Sequence, residues 1–191
     1  MASKSPATPG ALEDRSVSMT RGNLLALPVV AAAFGAAFGL HIAVWGSPSL
    51  ASIAPPSIWV LLAVVLSIPG HEGLHAVGLL LAGASRTAIR FGIDWKTMTP
   101  SAYSTVPVSA RSYRLALALP AFLLGVVPSA VGIGINSGGL TFFGAANLAL
   151  AGGDVVIMGL LRDLAGSALV LDHPNRMGCV VVPPPEEHAT A

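Results

Sequence analysis

Four apolar runs constrain this chain more than any other feature. They lie at about 24–45, 58–82, 115–135 and 140–161. Each holds roughly 20 residues or more, enough for a helix rising 1.5 Å per residue to cross a hydrocarbon core about 30 Å thick. The first run is too long for the apolar region of a signal peptide, and Trp45 makes a poor cleavage flank, so it reads as a retained span. Composition supports the same reading. Of 191 residues, 53% are apolar and 10% charged, whereas a soluble domain carries about 25% charged residues. The expected fold is an all-α polytopic membrane domain with about four transmembrane helices. A disordered chain, a nucleic-acid binder with a basic stripe and a disulfide scaffold are excluded. The single Cys179 says nothing firm about redox compartment.

The positive charges fix an orientation. Lys4, Arg15 and Arg21 precede the first run. Arg86, Arg90, Lys96, Arg111 and Arg114 lie between the second and third, and Arg162 and Arg176 follow the fourth. The connections 46–57 and 136–139 contain no Lys or Arg. In a four-span topology all ten fall on one side, which the positive-inside rule makes cytoplasmic. The chain is therefore expected in the cell membrane, multi-pass, with both termini inside. Trp45 and Trp59 then sit at the outer interface and Tyr113 at the inner one.

Outside the runs, residues 1–22 are polar with Pro6, Pro9 and Gly10, and read as a disordered cytoplasmic arm. The membrane domain covers 23–182, and 183–191 reads as a disordered tail. In the longest connection, 88–94 and 103–108 have strand-like content around a turn-rich 96–101. This leaves two alternatives, a small β-hairpin at the inner surface or an irregular loop.

Ionisable residues within hydrocarbon are costly and therefore functional candidates. His71-Glu72-Gly73-Leu74-His75 is an HExxH sequence inside the second run. Positions i and i+4 project from one helical face, so both imidazoles can reach one zinc ion, and the glutamate sits beside it. Zinc lowers the pKa of a bound water towards about 7. Glu72 is then placed to take its proton and pass it to a leaving amine. The alternative is a polar cluster that packs helices. A catalytic zinc takes three protein ligands. Asp154 in the fourth run lies at the same depth as the two histidines, and Gly152 and Gly153 before it permit close approach. It is the best third ligand, unless it is a helix-packing acid or a partner for a buried histidine. Asp172 and His173 are rivals only if the tail folds back. Asn147, seven residues before Asp154, could hydrogen-bond a substrate carbonyl or the oxyanion, or another helix. His41 lies at the wrong depth and reads as a packing or interfacial histidine. Pro69 and Gly70 are expected to kink the second span, and Pro128 the third.

An intramembrane HExxH followed by an in-membrane aspartate resembles the site-2-protease type of zinc metallopeptidase. More closely, the chain resembles a family of prokaryotic membrane proteins known as "Putative zincin peptidase", over about residues 58–182. The landmarks are HEGLH at 71–75, SYRLALALP at 112–120, AGGD at 151–154 and LDHPNRMGC at 171–179. The resemblance implies zinc held by His71, His75 and Asp154, with Glu72 as base. The chain departs from the site-2-protease pattern in having no PDZ-like insert and no proline-rich approach to its aspartate.

The leading functional expectation is an intramembrane zinc metalloprotease. It would hydrolyse a peptide bond of membrane-embedded or membrane-proximal protein substrates near the cytoplasmic face, using zinc-activated water and Glu72. The hairpin could receive substrate by strand addition. The partners are then the substrate and the lipid bilayer, with no nucleic acid and with room for a homo-oligomer. A catalytically inactive zinc-binding adaptor is the alternative, holding partner helices through small-residue faces such as 31–39. A metal transporter is a third reading, disfavoured by the lack of an inverted repeat.

Overall fold

In a computed structural model, which describes residues 13–46, 57–94 and 99–183, the apolar runs become helices and the polar connections become two small sheets. A strand β1 (Glu13–Val17) leads into α1 (Met19–Trp45), and α2 (Ile58–Leu81) follows. A short 3-10 turn precedes the strands β2 (Ile89–Asp94), β3 (Thr99–Ser104) and β4 (Val108–Ser109). Next come α3 (Ala110–Pro120), a π-helical segment Ala121–Val126 and α4 (Val127–Gly134). The chain continues through α5 (Gly138–Leu150), α6 (Gly152–Leu160), β5 (Leu169–Asp172) and β6 (Met177–Val182).

Serine hydroxyls start four of these helices. Ser18, Ser57, Ser109 and Ser137 accept from the backbone N–H three residues on, in α1, α2, α3 and α5 respectively. Each satisfies a donor that the first helical turn leaves unpaired. Three helical stretches are long and apolar enough to cross a membrane: Met19–Trp45, Ile58–Leu81 and Ala110–Gly134. A fourth exists if α5 and α6, bent by 40°, count as one broken span. The outward faces carry exposed Leu24, Leu27, Leu62, Val65 and Leu66, so they present apolar surface.

The helices meet through small residues. A Cβ on Gly132 would overlap the backbone and side chain of Thr141, and one on Gly144 would overlap Ser129. With no Cβ at either place, α4 and α5 pack backbone to backbone. Trp45 closes the far end by donating its indole N–H to the Ile133 carbonyl at 2.6 Å.

The sheets correct the all-α expectation. β1, β6, β5 and β4 form a four-stranded antiparallel sheet in that order, and β2 pairs with β3 in a separate hairpin. Sequence reading missed the larger sheet because its strands are short and far apart in the chain. Its β1 lies in the second half of the expected disordered arm 1–22. Residues 13–17 pair with Met177–Val181 of β6, so they are ordered by a partner some 160 positions away. Residues 1–12, and 184–191 of the expected tail, lie outside the described residues. Gly178, at φ 127°, makes this pairing sterically feasible, since a Cβ there would strike Arg15 and Ser16 of β1.

Of the two readings of the inner connection, the hairpin is the one observed. Its second strand begins at Thr99, four residues before the expected Tyr103, and the expected turn residues Lys96 to Met98 lie outside the described residues. α2 is α-helical throughout, Pro69 included, while elsewhere the backbone leaves α-helical regularity. It departs at the π-helical segment before Pro128 and at Ala151 between α5 and α6.

All eight described arginines lie in or beside the sheets, at the ends of helices that enter them. That end has its own core, in which Leu79, Tyr113, Leu117, Leu161, Val170 and Cys179 are buried together. Burial pushes the Cys179 thiol up to about 12, so it stays protonated.

Candidate metal centre

Three atoms at one depth define the centre. His75 lies six residues from the end of α2, Ala116 six residues from the start of α3 and Asp154 six residues from the end of α6. At 1.5 Å per residue each is about 9 Å from the sheet end.

The three approach one another for local reasons. His71 and His75 share a face of α2, their rings edge to face with centroids 4.8 Å apart. Gly78 lies on the next turn, and a Cβ there would overlap the Ala116 backbone, so its absence lets α3 close on α2. His75 Nδ1 then reaches the Ala116 carbonyl at 3.0 Å. That carbonyl is available because its ordinary helical donor would be the N–H of residue 120, which is a proline and has none. The π-helical segment begins at the next residue. Pro120, the last residue of the SYRLALALP landmark, thus frees the acceptor that orients a histidine.

Asp154 enters from the third side. It stands in the first turn of α6, just past the bend. Its Oδ2 is 3.1 Å from His71 Nε2 and its Oδ1 is 3.4 Å from His75 Nε2. Two donors each about 2.0–2.1 Å from a tetrahedral zinc lie about 3.4 Å apart, so these separations suit ligands of one ion. All three residues are at most 9% exposed.

Hydrogen bonding sharpens the fit. With Nδ1–H donating to Ala116, His75 turns its Nε2 towards a carboxylate oxygen. A buried Nε2 facing a carboxylate oxygen at 3.4 Å needs positive charge between or on the pair, which a bound cation or a proton on the imidazole supplies. His71 Nδ1 is buried with no partner among the described residues. Two imidazoles and a carboxylate are the donor set of a catalytic zinc rather than of a hard cation, which prefers oxygen.

Glu72 completes the cluster as sequence reading placed it. It is half-buried, and a ligand atom from each of His71, Glu72 and His75 lies within 4.8 Å of the others. Its carboxylate also faces the backbone N–H of Ala102 in β3, which brings the hairpin edge to the centre.

The other expected residues separate from this group. Asn147 is fully buried, accepts from the Ser67 hydroxyl at 2.8 Å and donates to the Phe143 carbonyl at 2.9 Å. It ties α5 to α2 one turn before His71, and both ends of its amide are used. His41 is fully buried between α1 and α5, its Nδ1 3.0 Å from Thr141 Oγ1, as its depth implied. Asp172, a rival ligand in sequence, does return on the folded tail, but to other partners. Its carboxylate accepts from the Tyr113 hydroxyl and, at 3.1 Å, from the Ser104 N–H. Burial holds its carboxyl above the ordinary range. His173 Nδ1 accepts from the Asn175 N–H at 3.1 Å within the β5–β6 turn.

Sequence reading missed Tyr113, Ser67, Ala116 and Ser104 as members of this surrounding shell. The two landmarks without an assigned role contained the signal, since Tyr113 and Pro120 lie in one and Asp172 in the other.

The sequence profile of a family described as "Putative zincin peptidase" matches residues 64–168, a stretch that includes His71, Glu72, His75 and Asp154. No curated protein and no solved structure matches the chain.

Proposed function

The chain belongs to the "Putative zincin peptidase" family, and on that premise we propose that it is an intramembrane zinc metallopeptidase of site-2-protease type. The observation that carries the reading is the convergence of His71, His75 and Asp154 at one depth within apolar helices, with Glu72 beside them. These three residues would hold zinc. Bound there, zinc would supply Lewis acidity and a water acidic enough to ionise near neutral pH.

The chain's own groups do the remaining work. Ala116 holds the His75 ring through Nδ1 and keeps Nε2 turned inward. A glutamate oxygen of Glu72 takes the proton of the attacking water and returns it to the departing amine. Ser67 and Asn147 lock α5 to α2 beside the centre, so Asn147 acts by positioning.

Substrate needs an extended backbone and a partner for it. Thr105 N–H donates to the Ala88 carbonyl at 2.8 Å, so by strand alternation Ala102 and Ser104 turn their polar groups away from β2. The outer edge of β3, its Ala102 N–H towards Glu72 and its Ser104 N–H on Asp172, therefore offers the Ala102 carbonyl to a strand laid along it. Under the positive-inside rule the arginine-rich sheet end would face the cytoplasm, with cleavage in the inner half of the bilayer and both termini inside.

The test is cleavage of a fluorogenic peptide library by zinc-loaded protein in detergent, wild type beside Glu72→Gln. We expect Glu72→Gln to retain one zinc per chain and to lose about 100- to 10,000-fold in rate, the range for a removed general base. Equal rates in the two proteins would sink the mechanism. Zinc in both with cleavage by neither would favour the adaptor reading.

A further inference from the structure

The LDHPNRMGC stretch brings Asp172 to a junction that the chemistry above does not use. Asp172 ends β5, opposite Cys179 of β6. One of its oxygens accepts from the Tyr113 hydroxyl in the first turn of α3, and the other from the Ser104 N–H of β3. Three separate pieces of structure thus meet on one half-buried carboxylate: the four-stranded sheet, the helix that supplies Ala116, and the hairpin. The contact with β3 falls on its outer edge, two residues from Ala102.

We propose that Asp172 is a positioning residue that, backed by Tyr113, fixes the outer edge of β3 at the height of the metal centre. The geometry gives it that role for three reasons. First, a two-stranded hairpin is marginal alone, and among the described residues this one pairs with no other strand, so its place depends on side contacts with α2 and with β5. Second, Tyr113 and Ala116 are one helical turn apart on α3. The same helix that orients His75 therefore anchors the hairpin, and the distance from edge to centre is set within one rigid element. Third, the carboxylate is satisfied on both oxygens without touching His71 or His75, which suits a strut and not a ligand. The Ser104 hydroxyl adds a local brace, donating to the Val106 carbonyl at 2.7 Å.

The consequence for substrate rests on the peptidase reading, while the anchoring itself does not. The experiment separates the two. Amide hydrogen exchange is followed by mass spectrometry on the full chain in zinc-replete nanodiscs, for wild type, Asp172→Ala, Asp172→Asn and Tyr113→Phe. Zinc content is measured on the same samples. Asp172→Ala should speed exchange across residues 99–106 by about tenfold or more, as expected when a local unit loses its fastening. Tyr113→Phe should do so by a smaller factor, and Asp172→Asn should fall between them, having one acceptor oxygen left. The segments of α2 and β6 should exchange as in wild type, with one zinc per chain throughout. With any library peptide the wild type cleaves, KM should rise several-fold in Asp172→Ala and kcat change little.

Unchanged exchange at 99–106 would overturn the proposal. So would loosening spread evenly over the four-stranded sheet, which would make Asp172 a general sheet residue, and so would loss of zinc, which would make it a ligand. If Asp172→Ala fails to fold, Tyr113→Phe decides alone. If no peptide is cleaved even by wild type, the peptidase reading fails and exchange still decides the anchoring.

Discussion

His75 and His41 are nearly the same residue in physical terms, and they sit in opposite halves of one bundle. Each is buried in an apolar helix. Each has its Nδ1 3.0 Å from an oxygen on a neighbouring helix, Ala116 O for His75 and Thr141 Oγ1 for His41. Thr141 gives its hydroxyl proton to the Ser137 carbonyl at 3.0 Å, so His41, like His75, must donate through Nδ1. Both rings therefore turn Nε2 away from their partner. The difference lies in what that nitrogen meets. His75 Nε2 meets Asp154, with His71 converging on the same carboxylate. His41 Nε2 meets no partner among the described residues. A buried histidine in an apolar helix is thus not a site by itself. The site is made by a second and third lone pair aimed at the same point.

One substitution made at both histidines puts the largest expected effect on this contrast. His75→Leu should reduce zinc affinity about 1,000-fold. Structural zinc sites bind with about 10–16 kcal/mol over their ligands, so removing one of three ligands costs roughly 3–5 kcal/mol. Elemental analysis after dialysis should find one zinc per wild-type chain and almost none in His75→Leu. A full complement of zinc in His75→Leu would remove this histidine from the centre and erase the distinction from His41.

The two sites also differ in how legible they were from sequence. The HExxH spacing announces itself because its members are four residues apart on one helix, and a carboxylate at matching depth can be found by counting from the span ends. The hairpin was one of two readings because its strands alternate only partly. The support for the centre was hidden by distance. Ala116 is an ordinary alanine, marked only by a proline four residues later, and Asp172 reaches Tyr113 and Ser104 through pairing that no local pattern encodes. The strand at 13–17 was misread as arm because its partner lies at the other end of the chain. Local periodicity carries spans and motifs, whereas contacts between distant segments need the fold.

A middle-sized effect tests that hidden support. Pro120→Ala restores a backbone N–H where the Ala116 carbonyl can accept it, in competition with His75 Nδ1–H. The helix should gain regularity while His75 loses its fixed orientation. Zinc affinity should fall about 10- to 100-fold, the usual cost of losing a partner that orients a metal ligand, and melting temperature without zinc should not fall. Unchanged zinc affinity would mean that the Ala116 contact does not orient the ring.

The smallest effect is expected at the other histidine, and its smallness is the informative part. His41→Leu removes one buried hydrogen bond, worth about 0.5–1.5 kcal/mol. It also removes a buried nitrogen with no described partner, whose desolvation costs about 1–3 kcal/mol. The Thr141 hydroxyl keeps its bond to Ser137, so no new orphan donor is left behind. The two changes oppose each other, and leucine fills the apolar space between α1 and α5. Net stability should therefore stay within about 1 kcal/mol of wild type, a shift in melting temperature of about 4 °C or less for a chain of this size. Zinc content should remain at one per chain. If His41→Leu instead lost zinc or unfolded the bundle, the unpartnered Nε2 would have to be serving a ligand of its own, and the two histidines would be two sites after all.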